Sequence, residues 1–116
     1  MNSQQAGTKR EIPISEMVRL IDLVNYQEGA VVSRTIVNRP SGTVTLFAFD
    51  EGQGLSEQTA PFDALAHILE GEAEIVVSGK ALPTKAGGAV LMPAREPHSL
   101  KAVTRFKMLL TMIRSA

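Results

Sequence analysis

The run Gly52-Gln-Gly-Leu-Ser-Glu-Gln58-Thr-Ala60-Pro-Phe62-Asp-Ala64-Leu-Ala-His67-Ile-Leu-Glu-Gly71 opens and closes on glycine, and its apolar stretch 64–69 ends at a Glu70-Gly71 turn. Beyond the turn, Ala73, Ile75 and Val77 alternate with Glu72, Glu74 and Ser78, broken only by Val76. That is the period of a half-buried strand, and Ser78-Gly79-Lys80 turns the chain again. Upstream, the β-branched run 31–37 is stopped by the turn cluster Asn38-Arg-Pro-Ser-Gly42, and 43–49 follows with apolar residues on both faces. Downstream, 89–92 is a short apolar run ending at Pro93. In the last strand Phe106, Met108, Leu110 and Met112 share one face, opposite Arg105, Lys107 and Thr111, with Leu109 the exception. Glycine or proline recurs roughly every 8–12 residues, the punctuation of an all-β sandwich or barrel. Nothing between the strands is long enough for a crossover helix, which argues against a parallel βαβ sheet. Segment 14–24 has apolar residues at mixed spacings and fits either a helical turn or an edge strand.

At 116 residues the chain is the size of one domain, large enough to enclose a core unaided. Residues 1–10 are polar and read as a flexible tail ahead of a single domain at 11–116. Twelve basic residues balance twelve acidic ones, so no long-range field steers the molecule to nucleic acid or to an anionic membrane. The same balance leaves little charge to oppose self-association. There is no cysteine, which excludes thiol catalysis, thiolate metal sites and disulfides. Neither a signal-peptide core nor an apolar stretch of about 18 residues is present, so a cytoplasmic protein without membrane contact is expected.

The glycine-bounded run resembles the first motif of the cupin superfamily: a glycine, five residues, His-x-His, three or four residues, Glu, six residues and a closing glycine. Here the two glycines, Gly52 and Gly71, keep that spacing. A second motif reads glycine, five residues, Pro-x-Gly, two residues, His, three residues and Asn. Gly87-Gly-Ala-Val-Leu-Met92-Pro93-Ala-Arg95-Glu-Pro-His98 is similar to it, with Arg95 in place of the second glycine and Ala102 in place of the asparagine. The resemblance implies an antiparallel barrel or jelly roll of about six to eight strands, often paired as a homodimer.

In the family the two histidines and the glutamate of the first motif join the histidine of the second to bind a divalent metal. Here those positions read Gln58, Ala60, Ala64 and His98. Alanine has no donor atom, a neutral amide is a poor ligand for a transition metal, and one imidazole does not make a chelate. No metal and no other cofactor is therefore expected. Side chains alternate faces along a strand, so Gln58, Ala60, Ala64, Ala66 and Ile68 share the interior if the segment stays extended. His67 then points outward, to a dimer interface or an exposed face. Asp63 has the same outward parity, so His98 has no evident carboxylate partner.

His98 carries two readings: a pocket hydrogen-bonder or general base, or an inherited polar residue bonded to Gln58 or water. The alanines leave room that Phe62, Met92, Met108 and Met112 could line, although Leu110 and Met112 read first as core fillers. Gly52-Gln-Gly54 lacks the Lys-Ser/Thr of a phosphate loop. The leading expectation is a metal-free barrel that binds a small organic ligand through Gln58, His98, Phe62, Met92, Met108, Ala60 and Ala64, as a sensor or accessory domain. Its rivals are a metal-dependent enzyme built on His98 with Gln58, Glu57 or His67, and a purely structural dimerisation barrel.

Overall fold

A computed structural model describes residues 11–114; the 1–10 segment, read as a flexible tail, lies outside the described residues. The described chain is an antiparallel two-sheet barrel. Its strands are β1 (Val31–Arg39), β2 (Gly42–Phe49), β3 (Gly54–Gln58), β4 (Phe62–Glu70), β5 (Glu72–Val77), β6 (Lys80–Lys85), β7 (Ala89–Met92), β8 (His98–Ala102) and β9 (Phe106–Arg114). One sheet runs β1-β2-β9-β4-β7 and the other β3-β8-β5-β6. The resemblance implied a smaller strand number; the additions include β3, β6 and β8, which alternation alone did not mark. β6 carries Pro83, tolerated because this strand is a sheet edge with one side unpaired.

The core between the sheets is built from inward positions of both: Phe49, Ala66, Ile68, Ala73, Ile75, Phe106 and Met108 have no exposed surface. Phe49 and Phe106 stack with ring centroids 4.3 Å apart and close this end of the sandwich. A second apolar cluster lies on the outer face of the five-stranded sheet, where Ile36, Leu46 and Ala48 are buried under the segment 12–26. This segment is neither a strand nor an α-helix. It is an irregular strap with one 3-10 turn at Leu20–Asp22, and Val24 is its buried anchor. Sealing a side chain such as Val24 or Leu46 from water contributes about 1.5–3 kcal/mol.

The outer face becomes continuous through a bulge in β1 between Thr35 and Val37. Thr35 faces inward against Thr45, while Ile36 and Val37 both meet the strap. An irregular strap leaves backbone carbonyls without ladder partners, and side chains of the sheet fill that role. Lys107 Nζ donates to the Ile21 carbonyl at 2.5 Å, and Arg34 donates to the Leu23 carbonyl at 3.2 Å. Tyr26 donates its hydroxyl to Glu70 at 2.6 Å, with the Arg105 guanidinium 4.5 Å from its ring centroid. Lys107 is therefore buried, on the face of β9 opposite Phe106 and Met108. Among the described residues no helix is long and apolar enough to cross a membrane.

Gly71, which closes the first motif, sits at φ +80° between β4 and β5; a Cβ there would stand 2.0 Å from the Arg105 carbonyl oxygen. Gly79 has nearly the same φ, +81°, but open space around it. Gly71→Ala is therefore expected to lose at least ~2 kcal/mol of stability, and Gly79→Ala only about 1 kcal/mol from the backbone conformation. Urea unfolding of both variants checks this, and equal losses would remove the close contact as the cause.

Burial, then the hydrogen bond and negative charge of Glu70, hold the Tyr26 phenol above its ordinary range, against the opposing pull of Arg105. A folded pKa above the unfolded value of about 10 means this contribution is full below pH ~10 and fades as pH rises toward the folded value. Tyr26 is the chain's one tyrosine. Tyr26→Phe should cost about 1 kcal/mol at pH 7 and should show a shallower alkaline loss than the parent chain. Parallel curves for the two proteins between pH 8 and about pH 11 would show that strap and sheet are not coupled through this phenol.

Candidate functional site

The two sheets enclose a cavity of about 230 Å³ at the end of the sandwich away from the Phe49–Phe106 stack. Its position follows from side-chain size. Ala64 of β4 lies between Met92 of β7 and Met112 of β9 in register, and its methyl leaves the space between them unfilled. Ala60 and Phe62 continue the wall, and Phe47, Leu55, Leu100 and Leu110 complete the apolar lining. Gln58 and His98 supply the polar groups.

Gln58 and His98 are direct cross-strand partners at the ends of β3 and β8, so both stand at the rim. The pairing depends on a bulge in β3: Leu55 opposes Leu100 and Gln58 opposes His98, so three steps on one strand match two on the other. Leu55 and Gln58 consequently share the inner face, and Glu57 is turned to an outer groove beside Glu74 and Lys101. His98 is half-buried, with Nδ1 3.4 Å from the Glu96 carbonyl oxygen, at the long limit of a hydrogen bond. The Glu96 carboxylate accepts from the Ser78 hydroxyl, which joins the β7–β8 connection to the β5–β6 turn. Arg95, at the position of the motif's second glycine, adopts φ 67°, and its N–H donates to the Ala60 carbonyl at 2.8 Å. The backbone shape that glycine serves is thus retained under an arginine side chain.

Six of the seven residues singled out from the sequence line this cavity: Gln58, Ala60, Phe62, Ala64, Met92 and His98. Met108 does not. It shares the inward face of β9 but pairs with Phe47 and Ile68 in the filled half of the barrel, where it is fully buried. Leu110 and Met112, read as core fillers, reach the cavity instead. Phe47, Leu55 and Leu100 were not singled out, although Leu100 has the parity of His98 and Phe47 that of Phe49. His67 pairs with Leu109 and Ala89 on the outer face, and Asp63 accepts the Ala94 N–H at 2.8 Å. Neither meets His98 in the cavity.

The residues present do not fit the metal centre that the resemblance implies. Two of its four positions offer methyl groups, and Gln58 and His98 alone fall short of the three or four protein ligands of a tight site. Among the described residues no group of three or more His, Asp or Glu side chains is placed to hold a metal ion.

No protein-family model matches the chain, and neither does any curated protein. Solved structures do match. A conserved protein of unknown function from Streptococcus pyogenes is 33% identical with a TM-score of 0.86, covering 91% of this chain and 93% of that one. A cupin superfamily protein from Desulfitobacterium hafniense is 27% identical with a TM-score of 0.85, covering 90% and 96%. A cupin 2 conserved barrel domain protein from Leptotrichia buccalis is 37% identical with a TM-score of 0.79; the match covers 81% of this chain and 46% of that one. With the glycine frame of the first motif and Gly87, Pro93 and His98 of the second in place, and this barrel around them, the chain belongs to the cupin superfamily.

Proposed function

We propose that this cupin is a metal-independent binding module whose barrel takes a small organic molecule, in a sensor or accessory role. The observation that carries this reading is the enclosed apolar cavity with a single polar pair, Gln58 and His98, at its rim. Apolar walls with a few convergent polar groups are the usual form of a small-molecule site. At about 230 Å³ the space is below the ~300–1,000 Å³ typical of pockets for drug-sized ligands, so its occupant is smaller. The methionines suit the role, since Met92 and Met112 can re-pack around an irregular shape. A general-base role for His98 gains no support from its surroundings, because Asp63 and Glu57, the carboxylates closest in sequence to the first motif's ligand positions, both face away from the cavity.

The rival, a metal-dependent enzyme using His98 with Glu57 or His67, requires donors that the β3 bulge and the β4 register turn outward. Untagged protein exposed to Zn, Ni and Mn and then desalted should carry well below one metal per chain by elemental analysis. One tightly held ion per chain, lost in His98→Ala, would replace this proposal with the metal-enzyme reading.

Ligand binding itself is tested with a panel of small apolar molecules that each carry one polar group. Binding members should shift the methyl signals of Met92 and Met112 and stabilise the fold, by about 2.7 kcal/mol at a hundred times Kd. Ala64→Leu, which fills the space, should weaken every binder at least ~10-fold while the barrel stays folded. A panel that moves neither methionine would argue for the purely structural barrel.

A further inference from the structure

We propose, building on the reading of the cavity as a small-molecule site, that its ligand is a carboxylic acid with an apolar body, held head-outward at the barrel rim. Arg114 would share that rim with Gln58 and His98. The lining dictates the orientation. Apart from Gln58 and His98 every lining side chain is apolar, and burying a charged or strongly polar group against the walls would cost several kcal/mol. The polar end of a ligand therefore belongs at the rim, where Gln58 is exposed and His98 half-buried.

Phe62 forms another part of the cavity's edge, and here two spaces meet. Phe62 is a wall of the interior cavity and also of a surface groove that includes Asn38, Arg39, Thr43 and Arg114. The Arg114 guanidinium lies 5.2 Å from the Phe62 ring centroid and is fixed by an Nε–H donated to the Pro40 carbonyl at 3.1 Å. That bond uses one of the guanidinium's five N–H donors. The groove's charged lining residues are Arg39 and Arg114. Arg39 is engaged by Glu11 at 3.3 Å, whereas among the described residues no carboxylate is paired with Arg114. Asp63, next to Phe62 in the chain, sits on the other face of β4 and is held by the Ala94 N–H. An arginine fork beside an apolar opening matches a planar carboxylate better than a neutral head group.

Size narrows the class further. At the ~30 Å³ a water-sized group occupies in a liquid, the cavity admits a body of roughly eight heavy atoms. Phenylacetate and octanoate are of this scale, and each has a neutral amide of nearly the same shape.

Calorimetric titration of the full chain with phenylacetate, octanoate and their amides tests the proposal. The acids should bind about tenfold more tightly than the amides at low salt, and Arg114→Gln should weaken the acids about tenfold more than it weakens the amides. Acids and amides of equal affinity, or an Arg114→Gln variant that treats both alike, would overturn the anionic head while leaving the cavity reading intact. If neither acids nor amides bind, and ethylbenzene also fails to shift the Met92 and Met112 methyl signals, both the head-group assignment and the cavity reading fall.

Discussion

Ala48 and Phe49 are consecutive in β2, point to opposite faces of one sheet, and are both sealed from water. A sheet apolar on both sides needs two covers, and most of this architecture follows from supplying them. The four-stranded sheet covers the inner face and the strap 12–26 covers the outer one. The strap has no ladder of its own, so Lys107, Arg34 and the Tyr26–Glu70 bond tie it down by side chains anchored in the sheet. The cavity belongs to the same account. Large aromatics fill the space between the sheets at one end, whereas Ala60 and Ala64 at the other run out of side-chain volume before it is filled.

Much of the fold was legible because alternation and burial agree. β2, β4, β5 and β9 carry inward residues at every second position, and the turns that follow β2, β4 and β5 are marked by glycine. β8 has only Leu100 and Ala102 to set its period, and β3 contains a bulge, so neither shows a clean alternation. The strap was ambiguous for a physical reason. Its apolar residues meet a sheet face through irregular backbone, so they follow neither helical nor strand spacing.

For the site, glycine spacing located the rim and parity identified the inward residues. Parity says which side of a sheet a residue faces but not how far along the barrel it lies. This is why Met108 was grouped with Met112, although they stand four residues apart on one face, one in the packed end and one in the open end. Phe47, Leu55 and Leu100 sit on strands whose register became visible only in three dimensions. Arg114 was not recognisable at all as a rim residue. Its placement over Phe62 comes from the pairing of β4 with β9, which joins residues more than fifty positions apart.

The extra residue in β3 has a meaning beyond local geometry. Pleating assigns faces by counting, so the same strand paired without its bulge would set Glu57, the second residue after Leu55, beside His98 in place of the amide. The electrical character of the rim is therefore set by the register of one short strand as much as by its composition. A one-residue shift of register, with no change of sequence, separates a neutral amide–imidazole lip from one bearing a carboxylate, so two barrels with the same residues along this strand can differ in chemistry.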